Sequence, residues 1–279
     1  MSNYCELTIL TGEGSIREQL IAQLACMGYD GFEESDTALK AYIPEPDFSD
    51  IDLDNLFNKY SLTYSKSIIN KQNWNKLWES NFEPVQVDDF VGIRADFHPS
   101  FKNVTHEIVI TPKMSFGTGH HATTYTVMQM MRKMDCTGKS VFDFGTGTGI
   151  LAILAEKLGA TSILAVDNDD WCIENASENI LINECKYIDI EKVSELIFNK
   201  KFDIILANIN KNIILNNIHI LQQGLRAGGQ LLLSGLLVED EKDILAACSL
   251  LGLQHKQTIS RNGWIATWFC MDSQNLDVK

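Results

Sequence analysis

VFDFGTGTGIL, Val141 to Leu151, decides the fold. A short apolar run leads into Gly145, Gly147 and Gly149, and the helical pattern GILAILAEKLG follows at once. Glycine accepts positive φ and lets main chain approach a ligand closely, and the first turn of a helix offers N–H groups with no partner of their own. A dinucleotide site spaces its glycines G-x-G-x-x-G, which needs a third glycine at the position of Ile150. The pattern here is G-x-G-x-G, and no lysine follows it as in a P-loop. A phosphate ligand is therefore disfavoured.

The next strand, SILAVDND, brings in Asp167. A carboxylate roughly 20 residues past such a turn can accept both hydroxyls of a ribose. Asn168 and Asp169 read as the loop and N-cap that follow. The pair of features asks for a nucleoside with free ribose hydroxyls and no phosphate to cradle. S-adenosylmethionine fits that description. A further strand ends in LANIN, and Asn208 sits where open α/β sheets present their ligands, at the carboxyl end of a strand. Its amide offers a carbonyl acceptor and two N–H donors, suited to a target amine or to a polar edge of the cofactor.

Outward from this centre, strands and helices alternate from about Thr123 onward. TTYTVMQMMRKM, GILAILAEKLG, DWCIENASENILIN, NNIHILQQGLRAGG and EDEKDILAACSLLG read as helices. KSVFDFG, SILAVDND, KFDIILANIN and GQLLLSGLL read as strands, and LQHKQTISRNGWIATWFC as a hairpin turned at Asn262-Gly263. This order predicts a mostly parallel sheet with helices on both faces and an antiparallel hairpin at one edge. VQVDDFVGIRADF and EIVITPK are expected strands before it.

Residues 1–70 read as a small α+β unit: strand CELTIL, helix SIREQLIAQLACMG, strand ALKAYIP, helix FSDIDLDNLFNKY with Ser49 as a candidate cap, and strand LTYSKSIIN. Its β-α-β-α-β order suits a ferredoxin-like sheet with helices on one face. It carries no catalytic constellation and reads as a recognition module. Residues 71–90 form an expected linker, with Trp74 and Trp78 on one face of a short helix stopped by Pro84, and 91–279 the catalytic domain.

The chain has 279 residues and a net charge of −14. Such an acidic surface is poorly matched to a nucleic-acid backbone and well matched to a basic partner. No apolar run approaches the ~18 residues of a membrane span, and MSNYCELTIL lacks the marks of a signal peptide. Seven scattered cysteines without a C-x-x-C pair argue for a reducing cytoplasm and against a zinc site. His120 and His121 are adjacent, but with no third ligand nearby they make a poor metal site, so no metal is expected.

One further stretch is highly specific. MSFGTGHHATT, VFDFGTGTGILAI, AVDND, LANI and LLLSGLL, in this order, resemble the bacterial class I methyltransferases that modify the eleventh large-subunit ribosomal protein. The resemblance covers nearly the whole chain, and Phe116 to Thr124 match a signature close to F-G-T-G-x-H-x-T-T. It implies a Rossmann-like catalytic domain and a loop that closes over S-adenosylmethionine. It further implies cofactor contacts at Thr124, Gly145, Gly147, Asp167 and Asn208, with Phe116 and Gly117 near the methionine end. Asn208 is then the residue expected to aim the amine. The expected substrate is the basic ribosomal protein, methylated at its α-amine and at lysines by a cytoplasmic monomer that needs no nucleic acid or membrane. Ala122 departs from a usual proline, Thr146 from a usual cysteine and Asn210 from a usually apolar residue. Competing readings are a methyltransferase of the same fold with another substrate, a dehydrogenase, and a cofactor-binding assembly factor that has lost catalysis.

Overall fold

The computed structural model describes residues 3–11, 14–35, 37–50, 53, 56–57, 60, 62–69, 82–113 and 117–272. They divide into two compact units, Met1–Leu77 and Trp78–Lys279.

The first unit contains β1 (Tyr4–Leu10), α1 (Gly14–Cys26), β2 (Gly31–Glu34), β3 (Ala38–Pro44) and β4 (Tyr64–Ile69). The strand order is β2-β3-β1-β4, and every pair is antiparallel. Alternation in CELTIL puts Cys5, Leu7 and Ile9 in the core, with Leu20, Leu24, Leu39, Leu53 and Phe57 against them. Positions 50, 53, 56, 57 and 60 are helical, where FSDIDLDNLFNKY predicts a helix. The expected order lacked β2. GFEE shows no apolar alternation, and its extended form comes from pairing with β3. The order is thus β-α-β-β-α-β, the split arrangement of ferredoxin-like units. Trp74 and Trp78 of the expected linker lie outside the described residues.

The second unit opens with a three-stranded sheet of β5 (Val85–Val87), β6 (Val91–Arg94) and β7 (His106–Val109). Then follow α2 (Ala122–Met131), β8 (Ser140–Phe144), α3 (Ile150–Lys157), β9 (Ser162–Asp167), α4 (Asp170–Ile182) and β10 (Ile188–Lys192). The chain continues through β11 (Phe202–Asn208), α5 (Lys211–Gln223), β12 (Leu225–Leu237), α6 (Glu241–Leu250), β13 (Leu253–Arg261) and β14 (Trp264–Met271). The sheet order is β10-β9-β8-β11-β12-β14-β13. From β10 to β12 all neighbours are parallel, while β14 is antiparallel to β12 and β13. This is the mostly parallel sheet with an antiparallel edge hairpin that the alternation of strands and helices predicts.

The strand period of two explains the continuous apolar runs. Val141, Ile204 and Leu206 face one core, and Phe142, Ile205 and Ala207 face the other. From β8 the chain builds outward to β9 and β10, then crosses back to β11 on the other side of β8. Such a switch point opens a crevice at the carboxyl ends of its strands, where α/β sheets bind ligands.

Two elements differ from expectation. NNIHILQQGLRAGG was predicted to be helical to its end, but α5 starts earlier, at Lys211, and stops at Gln223. Asn210 sets the start, its side chain accepting from Ile213 N at 3.0 Å. Phe202 N donates to Gly224 O at 2.8 Å, which draws the following residues into β12. IDIEK of β10 has no strong pattern and is extended because it pairs with β9 at the sheet edge. Among the described residues no helix is long and apolar enough to cross a membrane.

Candidate active site

Four separate elements converge at the switch point. β8 delivers the glycine turn, β9 ends at Asp167, β11 ends at Asn208, and Thr124 lies in the first turn of α2. The turn is folded by its own backbone: Gly145 N and Thr146 N both donate to Val166 O at 2.9 Å. Gly145, Gly147 and Gly149 all have left-handed φ, of +73°, +56° and +79°. A side chain at these positions would be strained, so the spacing of the motif is a backbone requirement.

Asp167 ties the turn to β9. Its Oδ2 accepts from Gly147 N at 2.9 Å, and its Oδ1 accepts from Asn168 N at 2.8 Å and Asp169 N at 3.2 Å. An ionised carboxylate has about four acceptor sites, so Oδ2 retains capacity for a ligand hydroxyl. Asp169 caps α4 by accepting from Trp171 N at 2.9 Å, as the sequence predicted.

Asn208 is almost buried, and its Nδ2 donates to Thr124 Oγ1 at 3.3 Å. Its Oδ1 is buried and receives no hydrogen bond from the described residues. A buried carbonyl without a donor is costly, so its retention points to a ligand group that donates to it.

The loop from Gly117 to His121 lies against the turn. Thr148 Oγ1 donates to Gly117 O at 2.7 Å. Gly117 and Gly119 are left-handed, at φ +103° and +94°. Phe116 lies outside the described residues. His121 caps α2: its Nδ1 lies 3.3 Å from Thr123 N and 2.7 Å from Thr123 Oγ1. Burial holds its imidazole below the usual histidine range. Its ring meets Trp264 of the hairpin edge-on at 4.8 Å. The histidine of the signature is thus engaged in capping a helix.

Sequence reasoning missed a set of supporting residues. Asn175, Asn179 and Asn183 recur at helical spacing along one face of α4. Asn179 Nδ2 donates to Thr148 O at 2.8 Å, and its Oδ1 accepts from Thr111 N at 2.8 Å. Asn183 Oδ1 accepts from Val109 N at 3.0 Å. This side-chain ladder joins the glycine turn to the segment that leads into the loop. The signal was visible in ENASENILIN, because amides repeating every four residues line one side of the helix, and those that are buried need hydrogen-bond partners.

Asp143 was also missed. It is buried in β8, and Thr146 Oγ1 donates to its Oδ2 at 2.6 Å. Thr146 is thereby bound to the strand it follows. Burial pushes the Asp143 carboxyl up to about 7; the Thr146 bond pulls it down and the nearby Asp167 charge adds to the rise. A free aspartate titrates near ~3.9. Between these values the folded chain holds a proton that the unfolded chain has released. Stability from this group is therefore fully present below about 4 and falls by up to about 1.4 kcal/mol per pH unit toward 7. Asp143→Asn should flatten that fall. Urea midpoints at pH 5 and pH 7.5 measure it, and an undiminished difference between the two in the variant would remove the assignment.

The family model described as Ribosomal protein L11 methyltransferase (PrmA) matches residues 12–271. A ribosomal protein L11 methyltransferase of Porphyromonas gingivalis is 42% identical over 276 residues, covering 96% of this chain and 94% of that protein. One from Chlorobaculum tepidum is 35% identical over 268 residues, covering 91% and 92%. The crystal structure of a ribosomal protein L11 methylase from Lactobacillus delbrueckii subsp. bulgaricus superposes with a TM-score of 0.63 at 32% identity, covering 68% of this chain and all of that one.

Proposed function

The chain belongs to the ribosomal protein L11 methyltransferase family, and we propose on that premise that it transfers methyl groups from S-adenosylmethionine to amines of that ribosomal protein. The observation that carries the reading is the buried Asn208 Oδ1, without a donor among the described residues, beside a turn whose carboxylate partner, Asp167, keeps acceptor capacity. The residues present fit the cofactor. Asp167 would take ribose hydroxyls, the left-handed glycines 145 and 147 would admit the nucleoside, and Thr124 and Gly117 would border the methionine end. Bound there, S-adenosylmethionine supplies a methyl on a sulfonium, already activated for displacement.

The work left to the protein is positioning and proton control. A lysine amine has a free pKa of ~10.4 and an α-amine one of ~8, so either must lose its proton before its lone pair can attack. Asn208 Oδ1 and the main-chain carbonyl of Ile209 would accept the two remaining N–H bonds of a neutral amine and so aim its lone pair. No carboxylate is assigned to take the proton, and water is its acceptor.

Such a protein would divide its labour, with the N-terminal unit recognising the ribosomal protein and the second unit doing the chemistry. The net charge of −14 suits a basic substrate. One chain supplies every site residue named, so a monomer in the cytoplasm suffices. The test is a mass spectrum of purified ribosomal protein L11 after incubation with this protein and S-adenosylmethionine. Successive single-methyl increments at the α-amine and lysines are expected. An unchanged mass, with S-adenosylmethionine still bound by calorimetry, would move the substrate to another protein or small molecule.

A further inference from the structure

We infer that Gly235 is a positioning residue for methyl transfer, because it makes room for the Ile209 peptide at the acceptor end of the site. The inference rests on the reading of Asn208 and Ile209 just given. β12 runs beside β11 with Ser234 opposite Asn208, and Ile209 N donates to Ser234 O at 3.2 Å. One residue further, β12 breaks register with β14: Ser234 pairs with Ala266, and Leu236 with Ile265. Gly235 is the extra residue of that bulge, with φ +81°. Bulges beside active sites re-aim the chain rather than merely interrupt it.

What the bulge achieves here follows from the space around it. A Cβ on Gly235 would stand 2.7 Å from the carbonyl carbon of Ile209 and 2.9 Å from its nitrogen, and nearer still to its oxygen. These are main-chain atoms, which no rotamer change can move aside. On its other side, Gly145 of the glycine turn, at φ +73°, leaves no space for a Cβ over Cγ2 of Ile209. Ile209 is thus held between two left-handed glycines, one from the cofactor turn and one from the sheet. A methyl at 235 would push the carbonyl away from the place where, with Asn208 Oδ1, it receives the amine.

The test compares Gly235→Ala with Gly138→Ala in the full-length protein. Gly138 is also left-handed, at φ +67°, but an added Cβ there meets nothing within 4 Å. It therefore reports the backbone cost alone. The Gly235 variant should lose at least thirtyfold in kcat, keep its Kd for S-adenosylmethionine within threefold, and melt below the Gly138 variant, because the clash adds to the backbone cost. The Gly138 variant should keep its kcat within twofold. A Gly235→Ala kcat within threefold of wild type overturns the inference, as does a loss confined to the cofactor Kd. If the single variant does not fold, Gly235→Ala combined with Ile209→Gly lets the peptide shift away. That double variant should regain cofactor binding but not transfer, and full transfer would sink the inference. Wild-type protein that neither binds S-adenosylmethionine nor methylates the ribosomal protein would instead overturn the proposed function.

Discussion

Asp167→Ala is expected to weaken S-adenosylmethionine binding about a thousandfold, and isothermal titration calorimetry measures it directly. Hydrogen bonds to a charged group contribute roughly 1.5–3 kcal/mol each. Loss of two ribose contacts then amounts to about 3–6 kcal/mol, with each 1.4 kcal/mol a factor of ten in affinity. The variant also frees Gly147 N, Asn168 N and Asp169 N, which the carboxylate now holds, while the bonds from Gly145 N and Thr146 N to Val166 O keep the turn tied to β9. Asp167→Asn keeps one acceptor oxygen and should lose only about ten- to a hundredfold, since a neutral bond is roughly half as strong. A melting temperature close to wild type would show that binding and not folding has failed. Affinity within fivefold of wild type in the alanine variant would remove Asp167 from the cofactor site.

The glycine turn, Asp167 and Asn208 were legible because each is a local event: strand, then special backbone, then helix. Their convergence was legible too, because alternating strands and helices force a parallel sheet whose switch point gathers strand ends. The spacing could not reveal who holds the turn from behind. Asn179 acts on Thr111 and Thr148, far from it in sequence, and Asp143 reads as one polar residue in an apolar strand until its burial is seen. The missed strands share a cause. GFEE and IDIEK lie at sheet edges, where pairing with a single neighbour defines the strand more than any pattern of its own. LRAGG failed for the opposite reason, because helical composition yielded to a tertiary bond between Phe202 and Gly224. Gly235 carries no signal of its own within LLLSGLL, since only the residue that follows the neighbouring parallel strand β11 shows what its missing side chain avoids.

Asn208→Ala is expected to lower kcat about a thousandfold while the protein stays folded and the Kd for S-adenosylmethionine rises no more than about tenfold. The magnitude follows from removing a preorganised acceptor, which typically costs 10²–10³, together with loss of lone-pair alignment. Folding should survive because the deletion removes a carbonyl that has no donor among the described residues, and the bond lost to Thr124 is long at 3.3 Å. A second variant separates aiming from mere space filling. Asn208→Asp keeps oxygen acceptors but adds a negative charge, which favours the ammonium form of the incoming amine and raises its pKa. Its transfer rate should be low at pH 7 and recover as pH rises, whereas the alanine variant should stay slow throughout. Single-turnover rates from pH 7 to pH 10 distinguish the two. An Asn208→Ala rate near wild type, or an aspartate variant that is equally slow at every pH, would show that this side chain does not receive the amine.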